Sequence, residues 1–153
     1  MRILVVEDET PKLRHVVEYL RSTVADLDLA TARSVRSALD ALEDSPPDLL
    51  ILDMSLPTFD IGGDEGGGRP QGFGGQELMR MMMLEERRTP VIVLTGYDAF
   101  NKAGGQIGLD ALNHELASEH PENFLGMLHF NSAFGDWKAK LRDLLDKFGV
   151  KLK

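Results

Sequence analysis

Three uninterrupted apolar runs constrain this chain more than anything else in it: Ile3-Leu4-Val5-Val6, Leu49-Leu50-Ile51-Leu52 and Val91-Ile92-Val93-Leu94. None alternates with polar residues, so none suits a sheet with one wet face. Each reads as a short strand buried on both sides, as in a parallel sheet. Each run also stops at reactive chemistry: Glu7-Asp8-Glu9 after the first, Asp53 after the second, Thr95 after the third. Open α/β sheets place their ligand sites at the C-terminal ends of the strands. The three runs therefore deliver Glu7, Asp8, Asp53 and Thr95 to one edge.

The segments between the runs have helical spacing. Thr10-Pro11 suits an N-cap followed by the first helical residue, and Leu13, Val16, Val17 and Leu20 recur on one face to about Ser22. Leu27 to Ala30 is a weaker strand. Ser34 is placed to cap a second helix with Val35, Ala38, Leu39 and Leu42 inward, and Pro46-Pro47 ends it. A third helix, Gln76 to Arg88, turns Leu78, Met79, Met82 and Met83 inward as adaptable core. After Thr95, a small-residue passage through Gly104-Gly105 leads to a helix carrying Ile107, Leu109, Leu112 and Leu116. Phe124 to Phe130 is the last strand, and Gly135 to Phe148 the last helix, with Trp137, Leu141, Leu144, Leu145 and Phe148 at core spacing. Strands and helices alternate throughout, and right-handed crossovers put helices on both faces of the sheet. The expected fold is an α/β (βα)₅ layer sandwich.

At 153 residues the chain is one domain on length alone. Its net charge of -8 argues against gripping nucleic acid by its phosphates. With no cysteine it has neither disulfides nor thiolate metal sites, which fits a reducing compartment. The chain opens directly on a strand, and no apolar run is long enough to span a bilayer. A cytoplasmic protein with no membrane partner is the expectation.

Residues 58–74 break the alternation of strand and helix. The glycines of this stretch match neither the G-x-x-x-x-G-K-[ST] nor the G-x-G-x-x-G phosphate-loop spacing. A long surface loop is expected, tethered beside Asp53, with Phe59, Ile61 and Phe73 as apolar anchors for its ends and 62–72 free between them. Such a loop would restrict which partner reaches Asp53 and add little to folding.

Carboxylates gathered at one edge repel each other unless one holds a proton or a cation joins them. A hard divalent cation fits best. Mg²⁺ takes oxygen ligands and leaves positions for water or phosphate. Asp8 and Asp53 are the natural direct ligands, Glu7 a direct or water-mediated one, and Thr95 offers a hydroxyl donor beside them. Asp53 is the candidate nucleophile toward phosphorus. A hydrolase would want a further carboxylate as general acid, and only Asp60 or Asp64 in the loop offers one.

With these residues in place, the chain resembles the receiver domain of two-component response regulators. ILVVEDE resembles the family's opening acidic pair, at Glu7 and Asp8; LLILDMSLP resembles its acceptor strand, with Asp53 and Pro57; VIVLTGYD resembles the strand bearing its hydroxyl, Thr95. The resemblance implies a flavodoxin-like three-layer sandwich with strand order 2-1-3-4-5. It implies phosphorylation of Asp53 by a histidine kinase or phosphotransfer protein. Mg²⁺ (or Mn²⁺) would be held by Glu7, Asp8, Asp53 and the Ser55 backbone carbonyl, and Thr95 would contact the phosphoryl group. Activity beyond self-phosphorylation and self-dephosphorylation is not implied. The output would be contact with a downstream protein, and dimerisation through the last helices stays open.

Three departures accompany the resemblance. The family's lysine at the end of the fifth strand would fall near His129 or Phe130, and neither is a lysine. His129 is the candidate substitute. The family's glycine after the acceptor loop fits Gly75, which makes 58–74 an insertion. The segment between Thr95 and the last strand is also long. These departures support a second reading, an atypical pseudo-receiver that binds partners without phosphorylation.

Overall fold

The computed structural model describes residues 1–60, 74–96, 99–102, 105–131, 133 and 135–153. Its core is a five-stranded parallel sheet. β1 (Arg2–Val6) lies between β2 (Asp28–Ala32) and β3 (Leu49–Leu52), followed outward by β4 (Val91–Thr95) and a strand at Phe124–His129. Between β4 and that last strand the chain makes an antiparallel hairpin, β5 (Ala99–Lys102) and β6 (Gly105–Gly108), so the last strand is β7. Counting only the five sheet strands, the order is 2-1-3-4-5, the doubly wound arrangement that the resemblance implies.

The apolar runs are buried on both faces, and alternate residues serve opposite cores. Leu4, Val6, Leu50, Leu52, Val91 and Val93 face one layer of helices: α2 (Val35–Asp44), α3 (Gly74–Leu84) and α4 (Leu109–Glu119). Ile3, Val5, Leu49, Ile51, Ile92 and Leu94 face the other: α1 (Thr10–Thr23) and α5 (Asp136–Phe148), through Val16, Leu20, Trp137, Leu141 and Leu145. Each buried leucine or valine is worth roughly 1.5–3 kcal/mol. Two filled cores thus hold the sheet edge that carries the acidic residues.

Local details depart from expectation at several points. Ile107 lies in β6 rather than in the helix, which begins at Leu109; the extra length after Thr95 is taken up by the hairpin. Glu9, not Thr10, is the N-cap of α1, and it makes no side-chain cap. The Thr10 hydroxyl instead accepts from Arg33 at 2.8 Å. Met83 is half exposed on α3, while Leu78, Met79 and Met82 fill the core. At α2 the expected cap is present: Ser34 Oγ accepts from Ser37 N–H at 3.0 Å, and Ser37 Oγ returns the bond to Ser34 N–H at 3.1 Å.

The start of the 58–74 stretch is also tied down differently from expectation. Phe59 is 58% exposed and anchors nothing. Polar contacts to the N-terminus of α2 hold the segment: Val35 N–H donates to Pro57 O at 3.0 Å, Arg36 N–H to Thr58 O at 2.9 Å, and Ser37 Oγ to Asp60 Oδ1 at 2.8 Å. The free N–H groups of a helix start take these oxygens readily. The two hydroxyls of Ser34 and Ser37 hold the Asp60 carboxyl below its ordinary range. The other expected anchors, Ile61 and Phe73, and the stretch 62–72 fall outside the described residues.

α3 starts against the residues that follow β3. Gly75 N–H donates to Met54 O at 2.8 Å. A Cβ at Gly75 would run into the Asp53 carbonyl oxygen and lie 2.6 Å from Met54 Cε and 2.8 Å from Met54 Cα. Only a residue without a side chain lets the helix approach this closely. Gly75→Ala is expected to cost about 2 kcal/mol by overpacking, a loss of roughly 4–8 °C in Tm. Gly135→Ala, whose added Cβ meets no described atom nearer than 4.0 Å and which alters only the N-cap of α5, serves as the control and should lower Tm distinctly less than Gly75→Ala.

Candidate functional site

Glu7 and Asp8 follow β1, and Asp53 follows β3, the strand paired beside it. Val6 O accepts from Asp53 N–H at 3.1 Å, which locks the two strand ends together. One carboxylate oxygen from each of Glu7, Asp8 and Asp53 lies within 4.8 Å of the others. Glu7 and Asp53 are nearly sealed from solvent at 2% and 4% exposure, and Asp8 is partly open. Thr95 is fully buried at the end of β4. The Asp8 backbone is held from the side by Arg33, whose guanidinium donates to Asp8 O at 2.7 Å. Ser55, two residues beyond Asp53, is buried in the same loop.

The sequence reading missed one participant, Lys12. Its ammonium comes from the first turn of α1, is 4% exposed, and lies 2.5 Å from Glu7 Oε1 and 3.2 Å from Asp53 Oδ1. It also donates to Leu94 O at 2.7 Å, at the end of β4. The signal was present in the spacing. Lys12, Val16 and Leu20 recur at intervals of four on the buried side of α1, so the lysine falls on the core stripe, one turn nearer the acidic edge.

His129 does not join the cluster. It pairs with Thr95 across β4 and β7, and its side chain is exposed. The next residue, Phe130, is buried with its ring centroid 5.8 Å from Lys12 Nζ. The ring stacks near His15 at 6.1 Å and packs on Trp137 at 5.1 Å. An apolar ring thus lies beneath the ammonium and keeps water from it.

Burial raises the Glu7 pKa to about 8; Lys12 opposes the rise, and the Asp53 charge adds to it. Asp53 is also raised, chiefly by burial, with Lys12 opposing and the Asp8 charge adding. One ammonium does not offset two buried carboxylates with a third beside them. In addition, Asp53 Oδ1 is wholly buried and receives no well-directed hydrogen bond. A buried acceptor in that condition costs about 1–3 kcal/mol, and more when charged. Hard oxygen donors with spare negative charge are what a divalent cation requires, so Glu7, Asp8 and Asp53 fit such an ion.

The raised Glu7 pKa has a definite sign in stability. From its ordinary value of 4.5 up to about 8 the folded chain keeps a proton that the unfolded chain has released. Stability from this group is complete below 4.5 and is lost as pH rises through 8. Lys12, Asp53 and Asp8 are the charged groups facing it. In metal-free buffer, Tm should fall from about pH 5 to about pH 8.5, and Glu7→Gln, neutral throughout, should flatten that slope. Equal slopes for the two proteins would contradict the assignment.

Comparison with known proteins agrees with this geometry. The pattern of the response regulator receiver domain matches residues 3–114. An uncharacterised Sinorhizobium fredii protein, y4jR, is 30% identical over 144 residues, covering 94% of this chain and 95% of that one. The Detocs response regulatory protein DtcB of Enterobacter cloacae is 24% identical, covering 92% of this chain and 95% of its own. The Mn²⁺-bound response regulator Rcp1 superposes with a TM-score of 0.66 at 24% identity, over 99% of this chain and 98% of that one. The phosphorylated cyanobacterial phytochrome response regulator RcpA gives 0.67 at 19% identity, over 99% and 96%. Among the described residues no helix is long and apolar enough to cross a membrane. With its doubly wound sheet and its acidic strand ends, the chain belongs to the response regulator receiver domain family of two-component signal transduction.

Proposed function

We propose that this receiver domain is a phosphoacceptor, with Asp53 taking a phosphoryl group from the phosphohistidine of a histidine kinase or phosphotransfer protein. The observation that carries the reading is the buried Asp53 carboxylate, whose Oδ1 is met by the Lys12 ammonium at 3.2 Å without a well-directed hydrogen bond, inside a three-carboxylate cluster at the C-terminal edge of the sheet. Glu7, Asp8, Asp53 and the Ser55 backbone carbonyl would hold Mg²⁺ or Mn²⁺. Bound there, the ion supplies positive charge for the phosphoryl oxygens. Support comes also from solved relatives described as Mn²⁺-bound and as phosphorylated.

The chemistry is in-line transfer, in which positioning and charge do most of the work. An Asp53 oxygen forms the O–P bond as the P–N bond to the donor breaks. The nitrogen leaves with the bonding pair, and because the other nitrogen of the phosphohistidine ring carries a proton, the product is neutral imidazole. Thr95, buried at the neighbouring strand end, would donate its hydroxyl to a phosphoryl oxygen. The domain then signals through contacts with a downstream protein. The second reading, a phosphorylation-independent binder, rests on the missing strand lysine together with the long segments at 58–74 and after Thr95; of these, the structure bears on the missing lysine. Lys12 places an ammonium at Asp53 by another route, which weakens that argument.

Incubation with Mg²⁺ and phosphoramidate should add one phosphoryl group to the intact mass, mapped to Asp53. Chelating the metal or introducing Asp53→Asn should remove the adduct to background. Repeated turnover of the donor without a lasting adduct would favour a hydrolase. No adduct in the wild-type protein would favour the phosphorylation-independent binder.

A further inference from the structure

We propose that Lys12 is the phosphoryl-binding cation of this site, delivered from α1 in place of the lysine that the family carries at the end of its last strand. The inference rests on the phosphoacceptor reading and deepens it. Its basis is the meeting of Lys12 Nζ with Glu7, Asp53 and Leu94 O at 2.5, 3.2 and 2.7 Å, above the ring of Phe130.

A lysine facing the core is uncommon unless it is paired. Here a purely structural counter-ion would need only the two carboxylates. The third contact goes to Leu94 O, immediately before Thr95. The ammonium therefore touches the acceptor carboxylate and the strand end that carries the buried hydroxyl. A phosphoryl group on Asp53 adds oxygens within reach of both. Lys12 has three N–H donors. Turning one from Asp53 Oδ1 to a phosphoryl oxygen keeps Leu94 O as the fixed anchor. The lysine remains an ammonium throughout: the new O–P bond forms at Asp53, the donor nitrogen leaves with its electron pair, and no proton moves at Lys12.

The strand position is closed to a second cation. His129 turns outward, and Phe130 is buried beneath Lys12 and wedged between His15 and Trp137. Phe130 fills the space beneath the ammonium, and its ring face attracts a cation. Lys12 and Phe130 thus divide between two elements what a single lysine does elsewhere in the family: charge from α1, bulk from the end of β7.

The test is an exchange of the two positions. With saturating Mg²⁺ and phosphoramidate, Lys12→Met should form the Asp53 adduct at least about tenfold more slowly, the effect of losing one charge-assisted hydrogen bond. In the folded double variant Lys12→Met/Phe130→Lys, most of that loss should be recovered. A Lys12→Met protein that matches the wild-type rate, or a folded double variant with no recovery, would overturn the inference. Wild-type protein forming no adduct would overturn the phosphoacceptor reading itself, and this inference with it. Should either variant fail to fold, wild-type protein with ¹³Cε-labelled lysine decides the question. The Lys12 signal, assigned against Lys12→Arg, should shift when beryllofluoride and Mg²⁺ are added, and an unmoved signal overturns the proposal.

Discussion

A buried carboxylate must find a cation or keep a proton, and among the described residues this sheet edge buries two, Glu7 and Asp53, against one ammonium, that of Lys12. Neither escape from that constraint is complete here. The proton is favoured on Glu7 because burial outweighs the attraction of Lys12. The Lys12 contact leaves Asp53 Oδ1 without a well-aligned donor. The site is therefore held ready for added positive charge and for anionic oxygens that such charge brings with it. A rigid setting makes this arrangement sustainable. Strand ends tied by Asp53 N–H to Val6 O cannot splay to let the carboxylates reach water.

The strands that build this edge were legible in the sequence because their burial is two-sided. A run such as Leu49-Leu50-Ile51-Leu52 has no polar face to misread, and its length excludes most helices. The capping serine of α2 was equally plain, since its hydroxyl chemistry is local. What escaped was set by tertiary contact. The β5–β6 hairpin has small and mixed residues with no clean alternation, so its pairing leaves little trace in the sequence. Thr10 has the chemistry of an N-cap, yet Arg33 claims its hydroxyl from across the fold. Phe59 is apolar and still lies exposed, because the backbone carbonyls around it already satisfy the start of α2. Lys12 was passed over because charge usually marks the solvent side of a helix. Its place on the Val16–Leu20 stripe was the contrary sign.

The helices next to the site are held by contacts that leave little room for alternatives. α3 begins so close to Asp53 and Met54 that its first residues lack side chains. α2 is capped by its own serines and again by the oxygens of 57–60. The segment that follows β3 is thus directed onto the start of α2 at residues 57–60. The side of Asp53 formed by residues 57–60 is fixed by hydrogen bonds to a helix terminus, where the N–H groups favour negative charge.

On the proposed assignment of Lys12, placing the cation on α1 changes which parts of the domain sense the chemistry. A lysine at the end of the last strand would report directly to that strand and to α5. Lys12 reports first to α1 and, through Leu94 O, to the end of β4. α5 is still in contact, by packing rather than charge: Phe130 touches both the Lys12 environment and Trp137, and Trp137 meets Tyr19 of α1 edge-on at 5.4 Å. Tyr19 closes the circuit by donating its hydroxyl to Lys138 O at 2.8 Å. α1 and α5 are therefore joined twice, at the sheet edge and again along their aromatic flank. Close-packed side chains transmit displacement because they have no empty space in which to absorb it. A shift of Lys12 by a fraction of an ångström must be taken up by Phe130 or by the first turn of α1, and both bear on the same helix pair.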